Sequence, residues 1–151
     1  MVPAVMPPLS TSDTAPPNLV RVVLADDHPP MLALAAAALA AICVVVGTVG
    51  NGRELFAAVE RLAPEVVVLD IGMPEMNGIE AARELQRSHP AVRLVFLTVQ
   101  QDADYAQAAF AAGGLGYVVK SRLASDLLPA VRAALEGRRF LSPTVNLNGG
   151  V

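Results

Sequence analysis

Short runs rich in valine, isoleucine and leucine alternate five times with helical patterns from residue 19 onward, and this rhythm restricts the fold more than any other feature. The runs, with the residues that close them, are "LVRVVLADD", "ICVVVGTV", "EVVVLD", "VRLVFLT" and "LGYVVK". The helical patterns are "PMLALAAAALAA", "GRELFAAVERLA", "GIEAARELQRSH", "DADYAQAAFAAG" and "SDLLPAVRAALEG". Apolar runs without polar alternation are typical of strands covered on both faces, and short helical connections require parallel pairing with right-handed crossovers. The sequence therefore predicts a doubly wound α/β fold with five parallel strands and five helices.

The two ends of the chain lack this rhythm. Residues 1–18 contain five of the twelve prolines and no periodic apolar face, which predicts a flexible tail, and they lack the basic start and apolar core of a signal peptide. Residues 19–141 carry the five βα units, and residues 142–151 are expected to be a frayed tail or the start of an interdomain linker. Pro129 falls inside the last helical pattern, so that helix should start late, around Ser125 and Asp126, or bend at the proline.

Composition and charge exclude several classes of protein. The net charge of −3 lacks the basic footprint of a nucleic-acid-binding protein, so we expect no direct contact with nucleic acid. No apolar run approaches the roughly 18 residues of a membrane helix. The single cysteine, Cys43, lies within "AICVVVG" and is predicted to be a small buried residue in a cytoplasmic, reducing compartment. His28 and His89 have no partners at the spacing of a zinc site.

Three carboxylates stand at the ends of predicted strands. Asp26 and Asp27 close the first strand, and Asp70 closes the third. In a flavodoxin-like strand order of 2-1-3-4-5 these strands are neighbours, so the three acids should share one pocket at the carboxyl edge of the sheet. Crowded carboxylates require either raised pKa values or a bound cation, and an open site with oxygen ligands suits Mg²⁺. The alternative is that each acid only caps the loop or helix that follows it.

Two further strand ends supply groups that bind phosphate. Thr98 closes the fourth strand with a hydroxyl, and Lys120 closes the fifth with an ammonium group. A nucleophilic carboxylate surrounded by a metal site, a hydroxyl and an ammonium group is what phosphoryl transfer requires.

The motifs "LADDHP", "VVVLDIGMPEMNG", "VFLT" and "GYVVKS" together resemble the receiver domain of bacterial two-component response regulators. The resemblance covers roughly residues 19 to 142. "DDHP" and "EGRRFLSP" are similar to the NarL/FixJ-type regulators, which have a LuxR-type output, and in those proteins a receiver precedes a helix-turn-helix DNA-binding domain.

The resemblance implies a role for each residue of the acidic pocket. Asp70 would be the phosphoacceptor and would take a phosphoryl group from a sensor histidine kinase. Asp27, Asp70 and the backbone carbonyl of Gly72 would bind Mg²⁺ directly, and Asp26 would act through water. Lys120 would pair with the phosphoryl group.

The resemblance also implies a conformational switch. Thr98 would bond the phosphoryl group once it arrives, and the ring of Tyr117 would turn inward as Thr98 moves. The altered surface would control an output, expected to be transcription through a DNA-binding domain absent from this chain, with a possible homodimer on phosphorylation. Ser121 follows Lys120 where many receivers have proline.

Two alternatives stay open beside a phosphoaccepting signalling domain. A Mg²⁺-dependent phosphohydrolase of the haloacid dehalogenase kind would have a second aspartate two residues after Asp70, where this chain has Gly72. A stand-alone or degenerate receiver would act only as a protein-interaction module, although all five expected functional groups are present. In the preferred interpretation the chain is not an enzyme and catalyses only its own phosphorylation and dephosphorylation.

Overall fold

The structure is a computed structural model and describes residues 19–145. The predicted flexible tail at 1–18 and the last residues, 146–151, lie outside the described residues. The strands are β1 Val20–Ala25, β2 Cys43–Val49, β3 Val66–Leu69, β4 Arg93–Thr98, β5 Gly114–Val119 and β6 Phe140–Leu141. The helices are α1 Pro29–Leu39, α2 Gly52–Leu62, α3 Gly78–Ser88, α4 Ala103–Ala111 and α5 Leu123–Leu135.

The strands form one parallel sheet in the order β2-β1-β3-β4-β5-β6. This confirms the flavodoxin-like order predicted for the first five strands. The sixth strand was not predicted, because its two residues carry no periodic signal and its pairing with β5 comes from tertiary contact. Helices α2, α3 and α4 pack on one face of the sheet, and α1 and α5 pack on the other.

Local sequence explains why the helices begin where they do. The side chains of Asn51 and Asn77 accept hydrogen bonds from the backbone N–H groups of Glu54 and Glu80, and these bonds cap α2 and α3. Pro30 lies in the first turn of α1, where a missing N–H costs little. In the described chain no helix is long and apolar enough to cross a membrane.

The structure differs from the sequence-based expectations at two points near the end of the domain. Helix α5 begins at Leu123, after a 3-10 turn over Lys120–Arg122, and not around Ser125. Pro129 lies inside the helix on its solvent side, where water can satisfy the carbonyl group that loses a donor. The chain also does not fray directly after Leu141, because Ser142 and Val145 are buried.

Candidate functional site

The carboxyl ends of four neighbouring strands build the site. Asp26 and Asp70 directly follow β1 and β3, and their backbone N–H groups donate to the carbonyl groups of Val49 and Ala25, which continues the ladder of the sheet. Thr98 is the last residue of β4, and Lys120 directly follows β5. Parallel pairing therefore brings two acids, a hydroxyl and an ammonium group to one edge of the sheet.

Lys120 joins the two buried acids. Its Nζ lies 2.8 Å from Asp26 Oδ2 and 2.9 Å from Asp70 Oδ2, and each of the three side chains is less than one tenth exposed. The contact with Asp70 is a hydrogen bond donated by the ammonium group. Burial by itself lowers the pKa of Lys120, but the hydrogen bonds and charges of Asp26 and Asp70 outweigh burial, and the pKa is raised. The ammonium group therefore stays charged, and it offsets one of the two buried negative charges.

The two oxygens of Asp26 have different partners. Its Oδ1 accepts a hydrogen bond from the backbone N–H of His28 at 2.9 Å. Its buried Oδ2 lies 2.8 Å from the Lys120 ammonium group, which is its one partner among the described residues. Because an unpaired buried carboxylate oxygen is costly, this ion pair stabilises Asp26 at the edge of the sheet.

Asp27 lies on the exposed side of the same edge. Asp26, Asp27 and His28 each offer one ligand atom, and these atoms lie within 4.8 Å of one another. The carboxylate oxygens of Asp26 and Asp27 suit a hard cation such as Mg²⁺. The imidazole of His28 is not a preferred Mg²⁺ ligand. Gly72 is exposed in the loop after Asp70, with no atom within 4 Å of the position of a Cβ.

Thr98 and Tyr117 meet at the backbone of Gln100. Thr98 is buried, and its Oγ1 accepts a long hydrogen bond of 3.4 Å from the N–H of Gln100. The hydroxyl of Tyr117 donates to the carbonyl of Gln100 at 2.9 Å. The tyrosine ring is fully buried, with ring centroids 6.3 Å from Phe96 and 6.5 Å from Phe110. The ring is thus in the inward position, and burial followed by the charges of nearby acids raises its pKa.

The absence of a side chain at Gly78 leaves space for the backbone of Asp70. The N–H of Gly78 donates to the carbonyl of Ile71 at 2.7 Å, which closes the loop after β3. A Cβ at Gly78 would stand 2.0 Å from the carbonyl oxygen of Asp70. Glycine at this position therefore allows α3 to begin directly against the residue that carries the central carboxylate.

Sequence reasoning did not predict the contacts of three residues near the site. Gln100 holds Thr98 and Tyr117 through its backbone, which leaves no signal in the residue type. Asp126 and Ser142 form a buried hydrogen-bonded pair beside Lys120, and their separation of sixteen positions hides it from any local pattern. The serine of "FLSP" is the one available hint, as a polar residue directly after an apolar pair.

Comparison with known proteins identifies the class of the domain. The family model described as the response regulator receiver domain matches residues 22–132, and the chain belongs to this family, which consists of signalling domains and not of classical enzymes.

The relatives and structural neighbours are response regulators, among them one described as LuxR family and one described as a putative NarL. The response regulator GacA of Pseudomonas viridiflava is 33% identical over 129 residues, which are 84% of this chain and 60% of that protein. A LuxR-family response regulator from Aurantimonas sp. SI85-9A1 superposes with a TM-score of 0.80 at 32% identity, covering 84% of this chain and 92% of that one. The isolated receiver domain of RcsB from Salmonella enterica serovar Typhimurium, solved with the phosphomimetic BeF3-, gives a TM-score of 0.79 at 27% identity and covers 85% and 96%. The chain thus spans about 60% of the length of its first curated relatives.

Proposed function

We propose that this chain is a phosphoacceptor domain in which Asp70 takes a phosphoryl group from a sensor histidine kinase in a Mg²⁺-dependent reaction. The observation that carries the proposal is the position of Lys120, which binds the buried carboxylates of Asp26 and Asp70 at adjoining strand ends. A lysine that already contacts the nucleophile can move to an equatorial oxygen of a phosphoryl group after transfer.

The reaction exchanges one bond at phosphorus for another. An oxygen of the Asp70 carboxylate attacks the phosphorus atom, and the bond from phosphorus to the imidazole nitrogen of the kinase breaks, so the histidine leaves with the electron pair. When Mg²⁺ is bound, it neutralises the charge that builds up on the phosphoryl oxygens. Asp27, Asp70 and the Gly72 carbonyl would hold the ion directly, and Asp26 would act through water. Lys120 and Thr98 then bind oxygens of the acyl phosphate.

The phosphoryl group changes the balance of charge in the pocket. It adds about 1.5 to 2 negative charges beside the acids. Thr98 has a weak partner in Gln100, at 3.4 Å, and can leave it for the phosphoryl oxygens. Because Tyr117 is bound to the same residue, a movement of Thr98 and Gln100 reaches the tyrosine and the outer surface of β5.

The output of the signal is inferred from the relatives. It concerns full-length regulators of their kind and not the receiver domain alone. RcsB is described as forming dimers bound to DNA. By analogy we infer a cytoplasmic transcriptional regulator in which phosphorylation promotes homodimerisation, and in which DNA is bound outside this domain.

Phosphorylation by acetyl phosphate tests the proposal. The 151-residue chain incubated with Mg²⁺ and acetyl phosphate should gain the mass of one phosphoryl group, and EDTA should prevent the gain. Asp70→Asn should gain none, whereas the matched control Asp104→Asn, an exposed acid in α4, should be labelled like the wild type. Absence of labelling in the folded wild-type chain would favour a passive interaction module. Continuous release of phosphate from monoesters would favour a hydrolase.

A further inference from the structure

A buried hydrogen-bonded network lies next to the turn that carries Lys120, and the proposed reaction does not use it. Its centre is the carboxylate of Asp126 in the first turn of α5, which is 5% exposed. Asp126 Oδ2 accepts from Arg122 Nε and from Ser142 Oγ, both at 2.7 Å, and Oδ1 accepts from Ser125 Oγ at 2.9 Å. A second guanidinium nitrogen of Arg122 lies 3.3 Å from Oδ1.

The network reaches the backbone immediately before Lys120. The ladder between β5 and β6 continues with a bond from the N–H of Ser142 to the carbonyl of Tyr117 at 2.9 Å. The next donor on this edge of β5 is the N–H of Val119, and it donates to the side-chain oxygen of Ser142 at 3.1 Å. The hydroxyl therefore replaces the backbone carbonyl that a longer β6 would have supplied.

The network also binds the side chain of Arg122, two positions after Lys120. Arg122 is the last residue of the 3-10 turn that begins at Lys120, and its guanidinium binds the same carboxylate oxygen as Ser142. One oxygen atom of Asp126 thus links the Val119 N–H, through the Ser142 hydroxyl, to the Arg122 side chain on the other side of Lys120. Ser121, directly after Lys120, has no ring to fix the backbone, so these bonds help to restrain the turn.

The buried carboxylate of Asp126 has several hydrogen-bond donors, and these decide its pKa. Burial raises the pKa of Asp126, but the hydrogen bonds from Arg122, Ser142 and Ser125 together with the arginine charge outweigh burial, and the pKa is lowered. A buried charge that keeps several donors is costly to disturb, because removal of one donor leaves the others and the carboxylate poorly paired.

We propose that Ser142, Asp126 and Arg122 are positioning residues for phosphoryl transfer, which hold the Lys120 turn so that the ammonium group faces Asp26 and Asp70. The inference rests on the proposed function, because it assigns these residues to the same reaction. It also makes the segment after β6 part of the site, since Ser142 connects that segment to the backbone of Val119, directly before Lys120.

The test separates placement of the lysine from binding of the metal and from folding. Ser142→Ala removes the hydrogen bonds to both Val119 and Asp126, and it should lower the rate constant of phosphorylation at saturating Mg²⁺ and saturating acetyl phosphate at least about fivefold. The Mg²⁺ dissociation constant should stay within about twofold of the wild-type value, because Lys120 is not a metal ligand. The matched control Ser88→Ala removes the hydroxyl of an exposed serine at the end of α3, outside this network, and it should react like the wild type.

A second variant covers the case in which Ser142→Ala does not fold. The side chain of Arg122 is 37% exposed, so Arg122→Gln should fold, and it should also lower the rate constant without changing Mg²⁺ affinity. Wild-type rates in folded Arg122→Gln and Ser142→Ala, or equal losses in Ser88→Ala, would overturn the inference. The proposed function is tested separately, because it fails if the wild-type chain itself is not labelled.

Discussion

Gly78→Ala should displace the backbone of Asp70 and destabilise the domain. The added Cβ would stand 2.0 Å from the Asp70 carbonyl oxygen, 2.8 Å from its carbonyl carbon and 2.9 Å from the Cα of Ile71. Since real Cβ atoms essentially never approach closer than 3.0 Å, about 1 Å of movement is needed. All three obstructing atoms belong to the backbone, so no side chain can rotate away.

The magnitude follows from two opposing effects. Overpacking of this kind costs about 1–3 kcal/mol, and a backbone obstruction belongs at the upper end. Alanine regains at most about 0.5–1 kcal/mol over glycine, because that value holds for a helix interior and Gly78 is the first residue of α3. We therefore expect a net loss of about 2 kcal/mol in the free energy of unfolding, or a Tm lower by about 6 °C in a domain of this size.

Gly72→Ala is the matched control in the same loop. Nothing lies within 4 Å of its added Cβ, so its Tm should stay within about 1–2 °C of the wild-type value. Thermal unfolding followed by circular dichroism measures both variants, and labelling by acetyl phosphate should be slower in Gly78→Ala because its Asp70 has moved. If Gly78→Ala is as stable as Gly72→Ala and is labelled at the wild-type rate, the steric argument is wrong.

Three further changes test other parts of the structure. Ala63 directly follows α2 in the left-handed conformation, with φ 48° and ψ 59°, which strains any residue but glycine. Ala63→Gly should therefore raise the free energy of unfolding by up to about 1 kcal/mol in urea titrations. A lower free energy of unfolding would contradict this strain. Burial, and secondarily the charge of Glu65, raise the pKa of Cys43 to about 11. A thiol reagent at pH 8 should therefore label the native protein far more slowly than the urea-unfolded protein. Equal rates would refute burial of the thiol. The folded-state pKa of Asp126 is lowered, so its contribution to stability should be complete above the unfolded value near 4 and disappear as pH falls through the folded value. The stability difference between the wild type and Asp126→Asn should therefore shrink below about pH 4, and a constant difference would count against the network.

The order of the sheet and its strand ends could be read from the sequence for a clear physical reason. β3 and β4 are buried apolar runs that stop at a polar residue, so both the strands and the groups at their ends stand out. Parallel pairing then decides which of these groups are neighbours, because only one edge of the sheet collects carboxyl ends. The proximity of Asp70 to Lys120 across fifty positions follows from topology and needs no local signal.

The details that depend on tertiary contact could not be read in this way. β6 has only two residues, and pairing with β5 rather than intrinsic propensity makes it a strand. α5 begins before Ser125 because the 3-10 turn at Lys120 leads directly into it, and Pro129 is accommodated on the exposed side. The interaction of Lys120 with Asp26 as well as Asp70, and the inward ring of Tyr117, depend on rotamers that only packing selects.

The groups at the strand ends come from widely spaced parts of the chain, and this has a consequence for its synthesis. Asp26 and Asp70 leave the ribosome well before Lys120, because β5 comes after β1 and β3 in the chain. A nascent chain that ends before residue 120 can pair β1 with β3, but its two acids then face each other without their cation. Completion of the fifth strand therefore removes an electrostatic penalty, so the central sheet becomes most stable only when the acceptor pocket is complete.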